Sequence, residues 1–129
     1  MRQTIEALQK NELAEASGLF IFSDGPKSGD DKEKVLEVRE YIKTISGFKR
    51  VNLVEREQHL GLANSIINGV TEIINKYGRI IVLEDDMVSS PYFLKFMNEA
   101  LEFYKDEEKV ISIHGYIYPV NAQLPETFF

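Results

Sequence analysis

The sequence predicts an α/β fold, a mostly parallel sheet with helices on both faces. Three observations carry that expectation. Four short apolar runs end in polar or turn-forming residues, as buried strands do. Segments with helical apolar spacing separate these runs, and connections of that length are crossovers rather than hairpins. Glycine and proline sit at the joints between the two kinds of segment.

Taken in order, "TIEALQKNELAEAS" spaces Ile5, Leu8, Leu13 and Ala14 at helical intervals, with Gly18 as the stop. "GLFIFSDGP" is a compact strand whose end carries Asp24, with Gly25-Pro26 as the turn. "KSGDDKEKVLEVREYIKTISG" sets Val35, Leu36, Val38, Tyr41, Ile42 and Ile45 on one broad helical face, with Asp30 or Asp31 as cap and Gly47 as terminator. "FKRVNLVERE" reads as a strand and "LGLANSIINGVTEIINKYG" as a helix through Leu62, Ile66, Ile67, Val70, Ile73 and Ile74. "RIIVLEDD" is the clearest strand, and "SPYFLKFMNEALEFYKD" is a helix with Pro91 near its start. "KVISIHGYIYP" gives a further strand, and "VNAQLPETFF" is left unassigned. A βαβ sheet ordinarily has a strand feeding its first helix, so an opening helix suggests that "MRQTIEAL" starts partway through a larger unit.

The 129 residues suit one domain, 1–129, with no linker or internal repeat. With 15 basic against 21 acidic residues, the bases lack the clustering that phosphate-backbone binding needs, so nucleic acid is not the expected partner. A nucleotide held through a bridging cation remains compatible with this charge. The absence of cysteine removes disulfides, thiolate metal sites and Cys nucleophiles. No apolar run approaches the roughly 20 residues of a membrane-spanning helix, and no signal region opens the chain. A cytoplasmic protein is expected.

The chemistry concentrates in "GRIIVLEDDMVSSPYFLKF", where Glu84, Asp85 and Asp86 follow an apolar run directly. Adjacent carboxylates repel unless they are solvated or neutralised, and hard divalent ions prefer oxygen ligands, so Mn²⁺ or Mg²⁺ is the natural cofactor. One or two carboxylates suffice when a diphosphate completes the shell. The plainer reading leaves two acids in solvent and the third near the start of the following helix, where negative charge favours the dipole. Ligands of open α/β sheets bind beyond the carboxyl ends of the strands, so Asp24 and the acidic triplet are both expected on that edge.

"IIVLEDDMVSSPYFLKFMNEALEFY" resembles the segment of GT-A glycosyltransferases that carries the DxD-type motif, in the Glu-Asp-Asp version of N-acetylglucosaminyltransferase I and of family 2-like bacterial sugar transferases. "FIFSDGPK", "REQHLGLANSIINGVTEIINKYG" and "VISIHGY" resemble the flanking parts in the same order, over residues 4–118. The resemblance implies a nucleotide-diphospho-sugar donor, with UDP-sugars favoured, and a saccharide or other hydroxyl acceptor. Asp86 would ligate the metal, Asp85 would lie near the ribose or donor sugar, Glu84 would support the donor site, Asp24 would lie near the base pocket, and Asn64 would contact the nucleotide. The family's first strand would precede Thr4, and the carboxylate base of its inverting members lies beyond Phe129. The chain thus resembles a fragment of a longer enzyme, incomplete for catalysis, with no assignable base and an open sheet side that allows a homodimer. The parent would work in the cytosol or at the inner face of a membrane. Two other classes compete: a non-catalytic binding or interaction domain, and a metal-dependent phosphohydrolase using Asp24.

His59, His114, Lys27 and Arg56 are weaker candidates, each more simply a structural or surface residue. Tyr92, Phe93, Phe96, Phe103 and Tyr104 follow helical spacing and are expected in the core. No Walker loop, GxGxxG, HExxH or nucleophile elbow is present.

Overall fold

The structure, a computed structural model, describes residues 1–116. Its elements run α1 (Arg2–Gln9), β1 (Gly18–Ser23), α2 (Lys32–Lys43), β2 (Arg50–Glu55), α3 (Leu62–Tyr77) and α4 (Phe93–Phe103). β1 and β2 pair in parallel, from Gly18 opposite Arg50 to Ser23 opposite Glu55. The α/β class and the parallel βαβ unit therefore stand.

Side chains alternate across a strand, so the two helices that follow the strands can cover opposite faces. α2 takes the face of Ser23, Val51 and Leu53: Arg39 reaches the Ser23 hydroxyl, and Ile42 borders a hollow with Val51 and Leu53. Ile42 is only 1% exposed, and full burial of such a side chain is worth about 1.5–3 kcal/mol. α3 takes the face of Phe20 and Phe22. Gly69 lets it approach so closely that a Cβ there would lie 3.2 Å from the Phe22 ring, while Tyr77 meets Phe20 with ring centroids 5.6 Å apart. Gly78 ends α3 at φ +78°, its N–H closing on the Ile74 carbonyl.

The sheet is smaller than the sequence predicts. Among the described residues it has two strands, and neither 79–86 nor 109–116 joins it. A strand is a pairing, and the apolar alternation of "RIIVLEDD" finds a different use. Ile81 and Leu83 pack against a core of Leu8, Ala14 and Leu94, together with Phe48 and Phe93, while Val82 between them is 50% exposed. The period-2 pattern thus survives without a ladder. The end of the "KVISIHGYIYP" run, the tail after it and the last part of the resemblance lie outside the described residues.

Two helix boundaries also move. α1 stops at Gln9, well before Gly18, because the Asn11 side chain takes the Ala7 carbonyl and Leu13 turns left-handed at φ +73°. α2 stops at Lys43, where Thr44 Oγ1 bonds the Tyr41 carbonyl; Gly47, at φ +84°, serves the turn beyond. At its start, Asp31 accepts from Ser28 Oγ and does not cap. Of the aromatic run, Phe93 reaches the core, but Tyr92, Phe96 and Phe103 are exposed.

Candidate functional site

The carboxyl ends of β1 and β2 are tied into one corner. Arg39 of α2 donates to the carbonyls of Ser23, Asp24 and Arg56 and pairs with Glu55 at 3.1 Å. A single guanidinium thereby satisfies the carbonyls where both strands end. One residue on, Asp24 accepts the Gly25 N–H, the Leu60 N–H at 2.9 Å and the Gly61 N–H at 2.9 Å. His59 Nδ1 lies 2.9 Å from the same carboxylate. The loops after the two strands are thus joined through one side chain. Gly25 is buried at their crossing, where a Cβ would fall 2.5 Å from the Gln58 carbonyl carbon.

Burial of the Asp24 carboxyl works to raise its pKa. The N–H groups of Leu60, Gly61 and Gly25 and the neighbouring His59 favour the anion more strongly in sum, so the net shift is downward. Asp24 is therefore an organiser of the β2–α3 loop. Asn64, on the first turn of α3, is exposed and donates from Nδ2 back to the Leu60 carbonyl at 3.1 Å. Asp24 and Asn64 thus meet through Leu60, which they hold from its N–H and C=O sides respectively.

Arg56 stacks over Phe22 at 5.5 Å and approaches Glu72 at 3.9 Å, while its Nε is buried without a hydrogen bond. Lys27 lies exposed in the loop after Pro26. Among the described residues, His114 has one long polar contact, 3.4 Å from Ser112 Oγ.

Glu84, Asp85 and Asp86 differ from Asp24 in every respect that matters for binding. All three are exposed. Asp85 lies 4.0 Å from the N-terminal amine, whereas Glu84 and Asp86 have no ion-pair partner among the described residues. No hydrogen bond or ion pair links the triplet to Asp24 among those residues. The segment is held by its backbone: Thr4 Oγ1 donates to the Asp85 carbonyl at 2.7 Å, and the Met87 N–H turns back toward Glu84.

Two buried polar side chains near the N-terminus reach the chain on either side of Pro91. Thr4 is 5% exposed and Asn11 is 6% exposed. Asn11 Oδ1 accepts the buried Leu94 N–H at 2.9 Å, and its Nδ2 donates to Ser89 Oγ at 3.1 Å. It caps α4 from 83 residues away in sequence. Hydropathy passes over both residues; their signal is polarity on the apolar face of a helix and of the turn that ends it.

Among the described residues no three His, Cys, Asp or Glu side chains converge to form a cage. The exposed carboxylates match an ion shared with a diphosphate and waters, which asks for one or two protein oxygens. No helix among the described residues is long and apolar enough to cross a membrane. Comparison of the chain with protein-family models, with curated proteins and with solved structures yields no match.

Proposed function

We propose that this chain is the nucleotide-diphospho-sugar-binding part of a metal-dependent GT-A-type glycosyltransferase, with a UDP-sugar as donor and a hydroxyl acceptor. The observation that supports it most is the contrast in the acidic segment, where the backbone is fixed by Thr4 while Glu84 and Asp86 project free of any cation. Exposed and without a cation among the described residues, these carboxylates are available to an ion, whereas Asp24 is already engaged. Bound Mn²⁺ or Mg²⁺ would supply a Lewis acid to charge building on the leaving nucleoside diphosphate. Asp86 would hold that ion, with Asp85 and Glu84 toward the donor. Asp24 and Asn64 would act by shaping the loop at Leu60 and Gly61.

The engagement of Asp24 weighs against a phosphohydrolase, because Oδ1 already accepts the Gly25 and Leu60 N–H groups while Oδ2 accepts the Gly61 N–H and has His59 Nδ1 at 2.9 Å, and a nucleophile needs a free lone pair.

Calorimetric titration of UDP with and without Mn²⁺, on the native chain and on Asp86→Ala, tests the proposal. Binding that needs both the metal and Asp86 is expected. Metal-independent binding, or metal-dependent binding unaffected in Asp86→Ala, would remove Asp86 from the role.

A further inference from the structure

One face of α1 and the turn after it carries Thr4, Leu8 and Asn11, the i, i+4, i+7 spacing of a helical stripe. All three are buried, yet two are polar, and a buried polar group persists where it has partners. Both reach one stretch of chain, residues 85–94, with Asn11 also bonding the Ala7 carbonyl of α1. Thr4 Oγ1 takes the Asp85 carbonyl; Asn11 takes Ser89 Oγ and the Leu94 N–H. The Glu12 N–H adds the Pro91 carbonyl at 2.9 Å, and Glu12 pairs with Lys95 at 3.3 Å. Leu8 closes the apolar gap against Leu94. The first residues of the chain thus grip both ends of a segment that belongs to neither strand.

From this geometry we infer that Thr4 and Asn11 are positioning residues, α1 acting as a clasp that sets where residues 84–86 present their carboxylates. Among the described residues no ladder forms on residues 79–84, so no sheet there registers the acidic segment. Of the described residues, Thr4 alone bonds the backbone of Asp85 from outside the segment. Asn11 fixes the far end by starting α4. A carboxylate that must meet a cation within a few tenths of an ångström needs this support, because a loop free at one end samples positions too widely. The clasp stands on the contacts themselves; its consequence for ligand binding rests on the function proposed above.

The test compares the native chain with Thr4→Val and Thr4→Ser. Valine keeps the shape of the buried side chain and loses the donor, whereas serine keeps the donor. Backbone ¹⁵N order parameters of residues 84–87 are expected to fall from about 0.85 to below about 0.6 in Thr4→Val and to recover in Thr4→Ser, with β1 and β2 unchanged in all three. UDP titrated in the presence of Mn²⁺ is expected to bind about fivefold more weakly to Thr4→Val and at native strength to Thr4→Ser, the loss of one ordinary hydrogen bond. Unchanged order parameters in Thr4→Val overturn the clasp, as does a fall spread over the whole chain. Equal UDP affinity in all three proteins overturns positioning of the ligand. If the native chain binds no UDP while the order parameters respond as expected, the proposed function fails and the clasp stands.

Discussion

Asp24 and Asp86 occupy similar places in the sequence, each in an acidic or polar cluster directly after an apolar run, and they end in opposite circumstances. Asp24 is 25% exposed and accepts N–H groups from two loops, so its charge is spent on folding. Asp86 is exposed, with neither a hydrogen bond nor an ion pair among the described residues. The difference comes from the neighbour each segment has. β1 has a parallel neighbour whose loop must be held close, and a carboxylate that gathers backbone N–H groups does this. Among the described residues, 79–84 have no neighbouring strand; Ile81 and Leu83 pack against Leu8 and Leu94 of the helices, and the acids that follow are exposed.

The largest stability effect should come from breaking the first corner. Asp24→Ala removes a charged acceptor from the N–H groups of Leu60 and Gly61 and is expected to cost about 2–3 kcal/mol in urea unfolding. The same carboxylate makes stability depend on pH. Because its folded pKa lies below the unfolded value, its contribution is fully present above the unfolded pKa and fades as the pH falls through the folded one. Between about pH 6 and pH 3 the native chain should therefore lose more stability than Asp24→Ala. Parallel losses in the two proteins would show that the corner is not held by the anion.

Next in size is Gly25→Ala. A Cβ 2.5 Å from the Gln58 carbonyl carbon meets backbone, which cannot swing aside as a flexible side chain would, so the two loops must separate. A cost of about 1–3 kcal/mol is expected by the same unfolding measurement. A neutral result would mean that the loops tolerate a wider crossing than the structure shows.

The two regions also differ in how readily the sequence reveals them. The parallel βαβ unit is legible because "GLFIFS" and "RVNLVE" end in polar residues and "KEKVLEVREYIK" repeats at helical spacing between them. The helix expected in "LGLANSIINGVTEIINKYG" is α3, Leu62–Tyr77. The extent of the sheet is not legible, because "RIIVL" carries the alternation of a half-buried strand, and alternation says which side chains turn inward without saying whether strands or helices receive them. Asp24 stands out as an acid at a strand end, but its partners are backbone N–H groups at Leu60 and Gly61, which no side-chain pattern encodes. Thr4 and Asn11 are hidden for the same reason: the partners through which they reach the acidic segment and α4 are a carbonyl, an N–H and a serine hydroxyl about 80 residues away.

The smallest stability effect belongs to the acidic segment, and its smallness is informative. Asp86→Ala removes an exposed side chain with no partner among the described residues, so urea unfolding should change by less than about 0.5 kcal/mol. A slight gain is the favoured sign, because Asp86 stands beside two other carboxylates and removing one charge relieves repulsion. Adding Mn²⁺ and UDP should then separate the proteins: mass action stabilises the native chain by an amount set by ligand concentration over Kd, and leaves Asp86→Ala where it was. A clear loss of stability in Asp86→Ala without ligand would place Asp86 in the same class as Asp24, an acid spent on folding, and would remove the asymmetry on which the proposed donor site depends.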